Sequence, residues 1–346
     1  MNYRNTLFTT ALLTVSLTFS CDAQFGNHES DLTATPILSS PAGYKWEQVL
    51  PFGNGSFQEE WKPGTFPLGL KPMNMPDGSL LMLGQKAAWT STDGLHWGHH
   101  PKKDWGERIW MEYAFFKNKL WMFGGMKYKD RQVINEIWSS TDGIQWEQMA
   151  NAPWPPRKGH SIVAFQGKLW LFGGAAEVTK DFVSNRLFND VWSSEDGIHW
   201  KKEMEKSPWS SEESPTLIVF QNALYKMGGQ GKADIWRSSD GKSWSQLVSE
   251  AEWKPRFANG ALVFDNKLWV FGGYDTTENH NTGAKNDVWY SEDGIKWNQQ
   301  TEHAPWTVRS GGTSVVFKNK VWLFSGKHTG GKHNWGGDIW TMGIEK

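Results

Sequence analysis

Four arginines and one glutamate recur at equivalent positions and are the residues of this chain whose types and spacing best suit chemistry. They stand three residues after six recurring tryptophans, where the chain places in turn Gly64, Arg108, Arg157, Glu212, Arg256 and Arg309. Guanidinium groups bind carboxylates, sulfates and phosphates through paired hydrogen bonds. If these positions surround one opening, the four arginines predict a binding site for an acidic ligand.

The same arginines also have a structural interpretation. Five other recurring tryptophans each follow an acidic residue by two positions, and these acids are Glu136, Asp190, Asp234, Asp287 and Asp338. An arginine buried against such a carboxylate would join two chain segments and offer nothing to a ligand. Glu212 interrupts the basic pattern, as a specific site requires, and is the candidate acid–base residue if the protein is an enzyme. The sequence leaves both interpretations open.

A repeat sets the elements that must position these residues. The phrase Trp-x-Ser-x-Asp-Gly-x-x-Trp occurs five times, beginning at Trp89, Trp138, Trp192, Trp236 and Trp289. A sixth, partial copy opens at Asp338 and ends with the chain. Spacings of 44 to 54 residues between copies are typical of β-propeller blades. The repeat therefore predicts an all-β protein with six blades.

Each copy predicts four short strands, a to d, joined by tight turns. The c–d connection carries Asp-Gly, as at Asp196-Gly197, and this pair favours a type I′ hairpin turn. The a–b connection carries pairs such as Lys117-Asn118, for which we expect the same turn. The b–c connections and the d–a linkers then emerge at one end of the propeller. The arginine positions should open strand a, the innermost strand, around the mouth of the central channel.

The two ends of the chain complete each other. The last repeat has strands a to c but no strand d, whereas the segment from Tyr44 to Val49 looks like a strand d without the other three. Pairing this segment into the last blade closes the ring and removes its open edges. We therefore expect residues 44–346 to form one closed six-bladed propeller.

The repeats resemble kelch motifs. Strand b ends in a diglycine in four of them, at Gly124-Gly125, Gly173-Gly174, Gly228-Gly229 and Gly272-Gly273, and aromatic residues follow in strands c and d. The resemblance covers about residues 44 to 346 and implies a kelch-type propeller. It says little about activity, because propellers carry unrelated functions.

Among enzymes of this architecture, the bacterial N-acetylneuraminate epimerases are the most similar in size and in being exported. That resemblance implies a sugar epimerase or mutarotase as the alternative function, but the epimerases' catalytic glutamate and arginine match no particular position here. The copper chemistry of kelch-type oxidases requires a cysteine bonded to a tyrosine. Cys21 is the only cysteine and lies in the N-terminal segment, so we expect no such cofactor.

The longer b–c loops supply further candidate ligand contacts. On the segments 126–135, 175–189, 274–286 and 327–337 these candidates are Tyr128, Arg186, Tyr274, His333 and Trp335. A rigid scaffold with variable loops on one face is a common design for a binding surface. Aromatic and polar side chains together suit a saccharide or a protein partner.

The N-terminus predicts export. Arg4 precedes an apolar stretch, residues 7–20, which is too short to span a membrane and is typical of an export signal over residues 1–23. Cys21 could be acylated, as in a bacterial lipoprotein, or the signal could be cleaved after Ala23. Residues 24–43 then form a flexible linker. The expected location is the periplasm, the outer membrane or the cell surface, with membrane contact only through a lipid on Cys21, or the medium if no lipid is attached.

Composition narrows the function further. The chain carries 36 Lys and Arg against 37 Asp and Glu, so its net charge favours no nucleic-acid partner. No His-Glu-x-x-His, cysteine pair, Gly-x-Ser-x-Gly or phosphate loop occurs, so we expect neither a metal nor another cofactor. The sequence names no reaction. It favours a cell-envelope binding module for an acidic saccharide or a protein partner over an enzyme.

Overall fold

The computed structural model describes residues 43–51, 71–84, 87–101, 105–176, 186–212, 214–229, 231–257, 259–275, 283–328 and 335–345. Every regular element among these residues is a β-strand, and the strands form six antiparallel blades of a closed propeller. This confirms the fold class that the repeats predicted.

The first strand of the chain, β1 (Tyr44–Leu50), belongs to the last blade. Blade one follows with β2 (Lys71–Asn74), β3 (Leu80–Leu83), β4 (Ala87–Ser91) and β5 (Gly98–Pro101). After the short linker strand β6 (Arg108–Ile109), blade two contains β7 (Glu112–Phe116), β8 (Lys119–Phe123), β9 (Met126–Lys127), β10 (Ile137–Ser140) and β11 (Glu147–Gln148). Blade three contains β12 (Ser161–Phe165), β13 (Lys168–Phe172), β14 (Val191–Ser194) and β15 (Trp200–Met204).

The second half of the ring repeats this plan with longer b and c strands. Blade four contains β16 (Thr216–Phe220), β17 (Ala223–Gly229), β18 (Lys232–Ser238) and β19 (Ser245–Val248). The linker strand β20 (Arg256–Phe257) precedes blade five, with β21 (Gly260–Phe264), β22 (Lys267–Asp275), β23 (Ala284–Ser291) and β24 (Asn298–Thr301). The linker strand β25 (Arg309–Ser310) precedes blade six, with β26 (Thr313–Phe317), β27 (Lys320–His328) and β28 (Trp335–Ile344).

Strand β1 closes the ring as predicted. It pairs antiparallel with β28, from Tyr44 opposite Ile344 to Leu50 opposite Ile339. The Tyr44 hydroxyl also donates a hydrogen bond of 2.5 Å to Asp265 in the a–b turn of blade five. Blade six is thus completed by the N-terminal strand and bonded to its neighbour.

Tryptophans that recur once per blade in strands b, c and d form much of the packing within and between blades. The strand-c indoles of blades two to six donate to the acid two residues earlier, as Trp192 does to Asp190 at 2.7 Å. The strand-d indoles of blades one to four donate to the glycine carbonyl of their own turn, as Trp200 does to Gly197. The strand-b rings lie against the turn glycine of the next blade, so that a Cβ on Gly197 would meet Trp121 at 2.8 Å. Tryptophan therefore recurs because the same contacts recur.

The tight turns differ from the prediction in one respect. The a–b turns of blades two to six have two consecutive residues with positive φ, such as Lys117 and Asn118, which confirms the type I′ prediction for them. In the c–d turns only the glycine has positive φ, so the type I′ prediction is wrong there. The aspartate folds this turn with its side chain instead: Asp196 Oδ1 accepts the N–H groups of Ile198 and His199 at 2.8 and 2.7 Å.

Candidate functional site

One end of the propeller, here called the linker face, consists of the b–c connections and the d–a linkers. The linker strands pair with b–c segments: β6 with β9, β20 with β18 and β22, and β25 with β23 and β27. Arg108, Arg256 and Arg309 therefore lie in these linker strands, and the expectation that they open strand a is wrong. Strand a begins four residues after each of these arginines because the linker first forms its own ladder with the b–c segment.

Arg157 shows how the four recurring arginines, here called the ring arginines, are paired. Its two terminal nitrogens donate to both oxygens of Asp190 at 2.8 and 2.9 Å, and one also donates to the Gly173 carbonyl at 2.9 Å. The guanidinium lies over the Phe188 ring at 4.2 Å. Burial alone raises the pKa of Asp190, but its hydrogen bonds and attraction to Arg157 outweigh this and hold the pKa below its usual value.

The other three ring arginines are paired in the same way within their own blades. Arg256 bonds Asp287, Arg309 bonds Asp338, and Arg108 bonds Glu136 at 2.7 Å. All four are between 0 and 2 % exposed. The structural pairing that the sequence left open is therefore present, and ligand contact by these four side chains stays a prediction that requires the pairs to open.

Blade four replaces the arginine with a different charge cluster. Lys226, fully buried on β17, lies 3.0 Å from Glu212 Oε1 and donates to Asp234 Oδ1 at 2.7 Å. Glu212 Oε2 accepts no hydrogen bond from the described residues. Burial raises the pKa of Glu212 to about 7 against the opposing attraction of Lys226. This carboxyl can therefore hold or release a proton near neutral pH.

Two loop candidates reach solvent on the linker face. Tyr128 is 45 % exposed and follows β9 in the b–c connection of blade two. Arg186 is exposed in the b–c connection of blade three, where its guanidinium lies 5.5 Å from the Phe188 ring centroid. The structure thus sets one aromatic and one cationic candidate on adjacent blades.

The remaining loop candidates lie elsewhere than predicted. Tyr274 is within β22 and Trp335 begins β28, because the b–c ladders of blades five and six extend beyond the region where the sequence predicted loops. Tyr274 is half-buried. His333 lies outside the described residues.

Sequence reasoning missed two buried lysines. Lys226 occupies a strand-b position where blades two, three, five and six have Met122, Leu171, Val270 and Leu323. A lysine at a position that is apolar in those repeats was the sequence feature that could have identified it. Lys158 is also fully buried, with Nζ 4.2 Å from the Trp110 ring centroid. The sequence feature that could have identified Lys158 was its position next to Arg157 in the linker.

Neither a metal site nor a membrane span is found in the part of the chain that the structure describes. Its His, Cys, Asp and Glu side chains form no group of three or more able to hold a metal ion. Its residues also include no helix of the length and hydrophobicity needed to cross a membrane.

Comparisons with known proteins support the fold alone. No protein-family model matches the chain, and no curated protein matches its sequence. Solved structures do match, among them the one described as "Structure of YjhT", with a TM-score of 0.64 and 16 % sequence identity. The match covers 80 % of this chain and 94 % of that chain. At this identity the shared feature is the propeller fold.

Proposed function

We propose that this protein is an exported, kelch-type binding module that holds an acidic saccharide on its linker face. One observation carries the proposal: Tyr128 and Arg186 are solvent-exposed on adjacent blades, whereas the ring arginines are buried in ion pairs. An aromatic ring and a guanidinium supply the two contacts that an acidic sugar needs, a stacking surface and a partner for its carboxylate.

The surrounding charge supports an acidic ligand. The b–c connection of blade two also exposes Lys129 and Arg131, and Lys127 is partly exposed beside them. Lys127 is paired with Glu136 at 2.9 Å, and Asp130 lies exposed between the other two. Together with Arg186, cations outnumber carboxylates among these residues. Such a surface attracts anions in a manner that added salt weakens.

A glycan array with the processed protein tests this function. We expect binding to glycans that carry carboxylate or sulfate groups, with affinity falling as salt rises. Replacing Arg186 by Ala should lower the affinity about tenfold, as expected for the loss of a hydrogen bond to a charged group. Replacing Tyr128 by Ala should also lower it about tenfold, through the loss of the stacking surface. The matched control is Lys296→Ala, which removes an exposed cation from a c–d turn at the other end of the propeller. Binding to neutral glycans alone, or equal losses in the control, would contradict the proposal.

A second function, sugar epimerase or mutarotase, is favoured by one specific observation. Glu212 is a buried carboxyl whose pKa is raised to about 7, the property expected of a general acid or base. NMR of anomer exchange on any sugar bound in the array tests this function. An isomerase loses turnover on Glu212→Gln but still binds its sugar, whereas a binding module shows no exchange in either protein.

A further inference from the structure

Trp110 holds a backbone conformation that bulky residues rarely adopt. Its φ is 56°, and the residues at the equivalent linker position also have positive φ: Gly159 at 55°, Ser214 at 66° and Gly311 at 65°. Backbone hydrogen bonds join Trp110, Gly159 and Ser214: the Gly159 N–H donates to the Trp110 carbonyl at 3.0 Å, and the Ser214 N–H donates to the Gly159 carbonyl at 2.7 Å. Glycine meets this geometry without strain, whereas tryptophan does not. The linker therefore retains Trp110 for its side chain.

The indole of Trp110 lies outside the apolar clusters that pack between the blades. It forms a separate apolar cluster with Ile109, Met126 and Val133. All four residues belong to the linker strand β6 and its continuation or to residues 126–133, here called the blade-two hairpin. Met126 pairs with Ile109, and the hairpin closes through Met126 opposite Val133. The blade-two hairpin therefore packs on the buried indole, and this cluster is here called its apolar base.

The hairpin presents the exposed side chains of the linker face. Tyr128 N–H donates to the Glu107 carbonyl at 3.0 Å, and Lys127 N–H donates to the Gln132 carbonyl at 2.9 Å. Tyr128 and Arg131 extend from it into solvent. Residues 128–132 are exposed, so the apolar base supplies much of the order of the hairpin.

Lys158 holds the indole from the side of blade three. Its Nζ lies 4.2 Å from the ring centroid, and its side chain is fully buried. A cation over an indole face is attracted to it more strongly when water is excluded. The contact joins the linker of blade three to the base of the blade-two hairpin. It therefore couples the two blades that carry Tyr128 and Arg186.

We propose that Trp110, held by Lys158, is a positioning residue that fixes the blade-two hairpin so that Tyr128 and Arg131 are ordered for an acidic saccharide. The ligand named here rests on the proposed function. Ordering contact groups before binding raises affinity because the entropy of ordering is not lost on association. This explains why a strained tryptophan stands where the linkers that enter blades three, four and six have glycine or serine.

Trp110→Gly tests the proposal, because glycine tolerates the same backbone conformation and removes only the indole under the hairpin. The test has two readouts. We expect trypsin to cut the full-length variant at Lys127, Lys129 or Arg131 at least tenfold faster than wild type, and its affinity for an acidic glycan to fall about tenfold. Trp110→Phe should restore much of both. Trp192→Ala, which removes an indole from the packing between blades, is the comparison for Tm.

The outcomes separate the positioning role from the alternatives. Unchanged cleavage of the hairpin overturns the proposal, and so does a fall in Tm as large as that of Trp192→Ala, which would make Trp110 part of the general core. Faster cleavage with unchanged glycan affinity overturns the role in recognition. If wild type binds no acidic glycan, the proposed function fails, while the cleavage assay still decides whether Trp110 orders the hairpin.

Discussion

Replacing Arg157 by Ala distinguishes a structural arginine from a ligand-binding one. In the native protein Arg157 is fully buried and forms two hydrogen bonds with Asp190. Its removal leaves Asp190 buried with one side-chain donor, the Trp192 indole at 2.7 Å. Breaking a buried ion pair in this way costs about 3–5 kcal/mol. In a domain of this size that lowers Tm on the order of 5–10 °C.

The destabilisation should depend on pH in a defined direction. The native pKa of Asp190 lies below its usual value, so the pair contributes stability above the ordinary pKa of aspartate and loses it as pH falls through the lowered native pKa. In Arg157→Ala the unpaired Asp190 is easier to protonate. The difference in Tm between wild type and variant is therefore largest near neutral pH and shrinks in acid.

Thermal melts of four variants, Arg157→Ala, Asp190→Ala, the double variant and Arg186→Ala, from acid pH below the ordinary pKa of aspartate up to pH 8 measure this. Arg186→Ala is the matched control, because it removes an exposed arginine from the same blade and should leave Tm within about 1 °C of wild type. Arg157→Ala with Asp190→Ala should cost less than the sum of the single changes. Wild-type melting of Arg157→Ala together with weaker glycan binding would refute the structural role and restore the arginine ring as the ligand site.

Two further predictions concern blade four and the closure. Because burial raises the native pKa of Glu212 to about 7, wild type should lose stability as pH rises from about 4.5 to 7. The Tm of Glu212→Gln should lack this pH dependence. Equal dependence of Tm on pH in the two proteins would show that the carboxyl titrates normally. Deleting residues 24–50 removes β1 and should give insoluble or strongly destabilised protein, whereas deleting residues 24–40 should leave Tm unchanged, and soluble protein with native Tm from the longer deletion would contradict the closure.

The fold was predictable because its determinants are local and repeated. Five copies of one phrase fix the strand order, and the unpaired segment from Tyr44 to Val49 could complete only a blade that lacked strand d. The c–d turn was misassigned for a local reason as well. A hairpin signal reports which residues tolerate positive φ, but it does not show that the Asp196 side chain would replace backbone geometry with its own hydrogen bonds.

The candidate site was less predictable, because charge pairing depends on contacts between distant segments. The sequence identified both the arginines and the acids, yet their spacing of about 30 residues could not decide between pairing and ligand binding. Burial decided it for the native structure, since Arg157 and Asp190 meet in the interior. Exposure likewise separated Tyr128 and Arg186 from the four ring arginines, and no sequence pattern carried that information.

Blade four shows why the break in the arginine pattern matters. Blades two, three, five and six each balance one arginine against one strand-c carboxylate in the interior. Blade four balances Lys226 against both Asp234 and Glu212, so one of these carboxyls stays uncompensated when both are ionised. Burial assigns the proton to Glu212, whose pKa is raised. Titration of Glu212 near neutral pH therefore changes the charge of the cluster that it forms with Lys226 and Asp234.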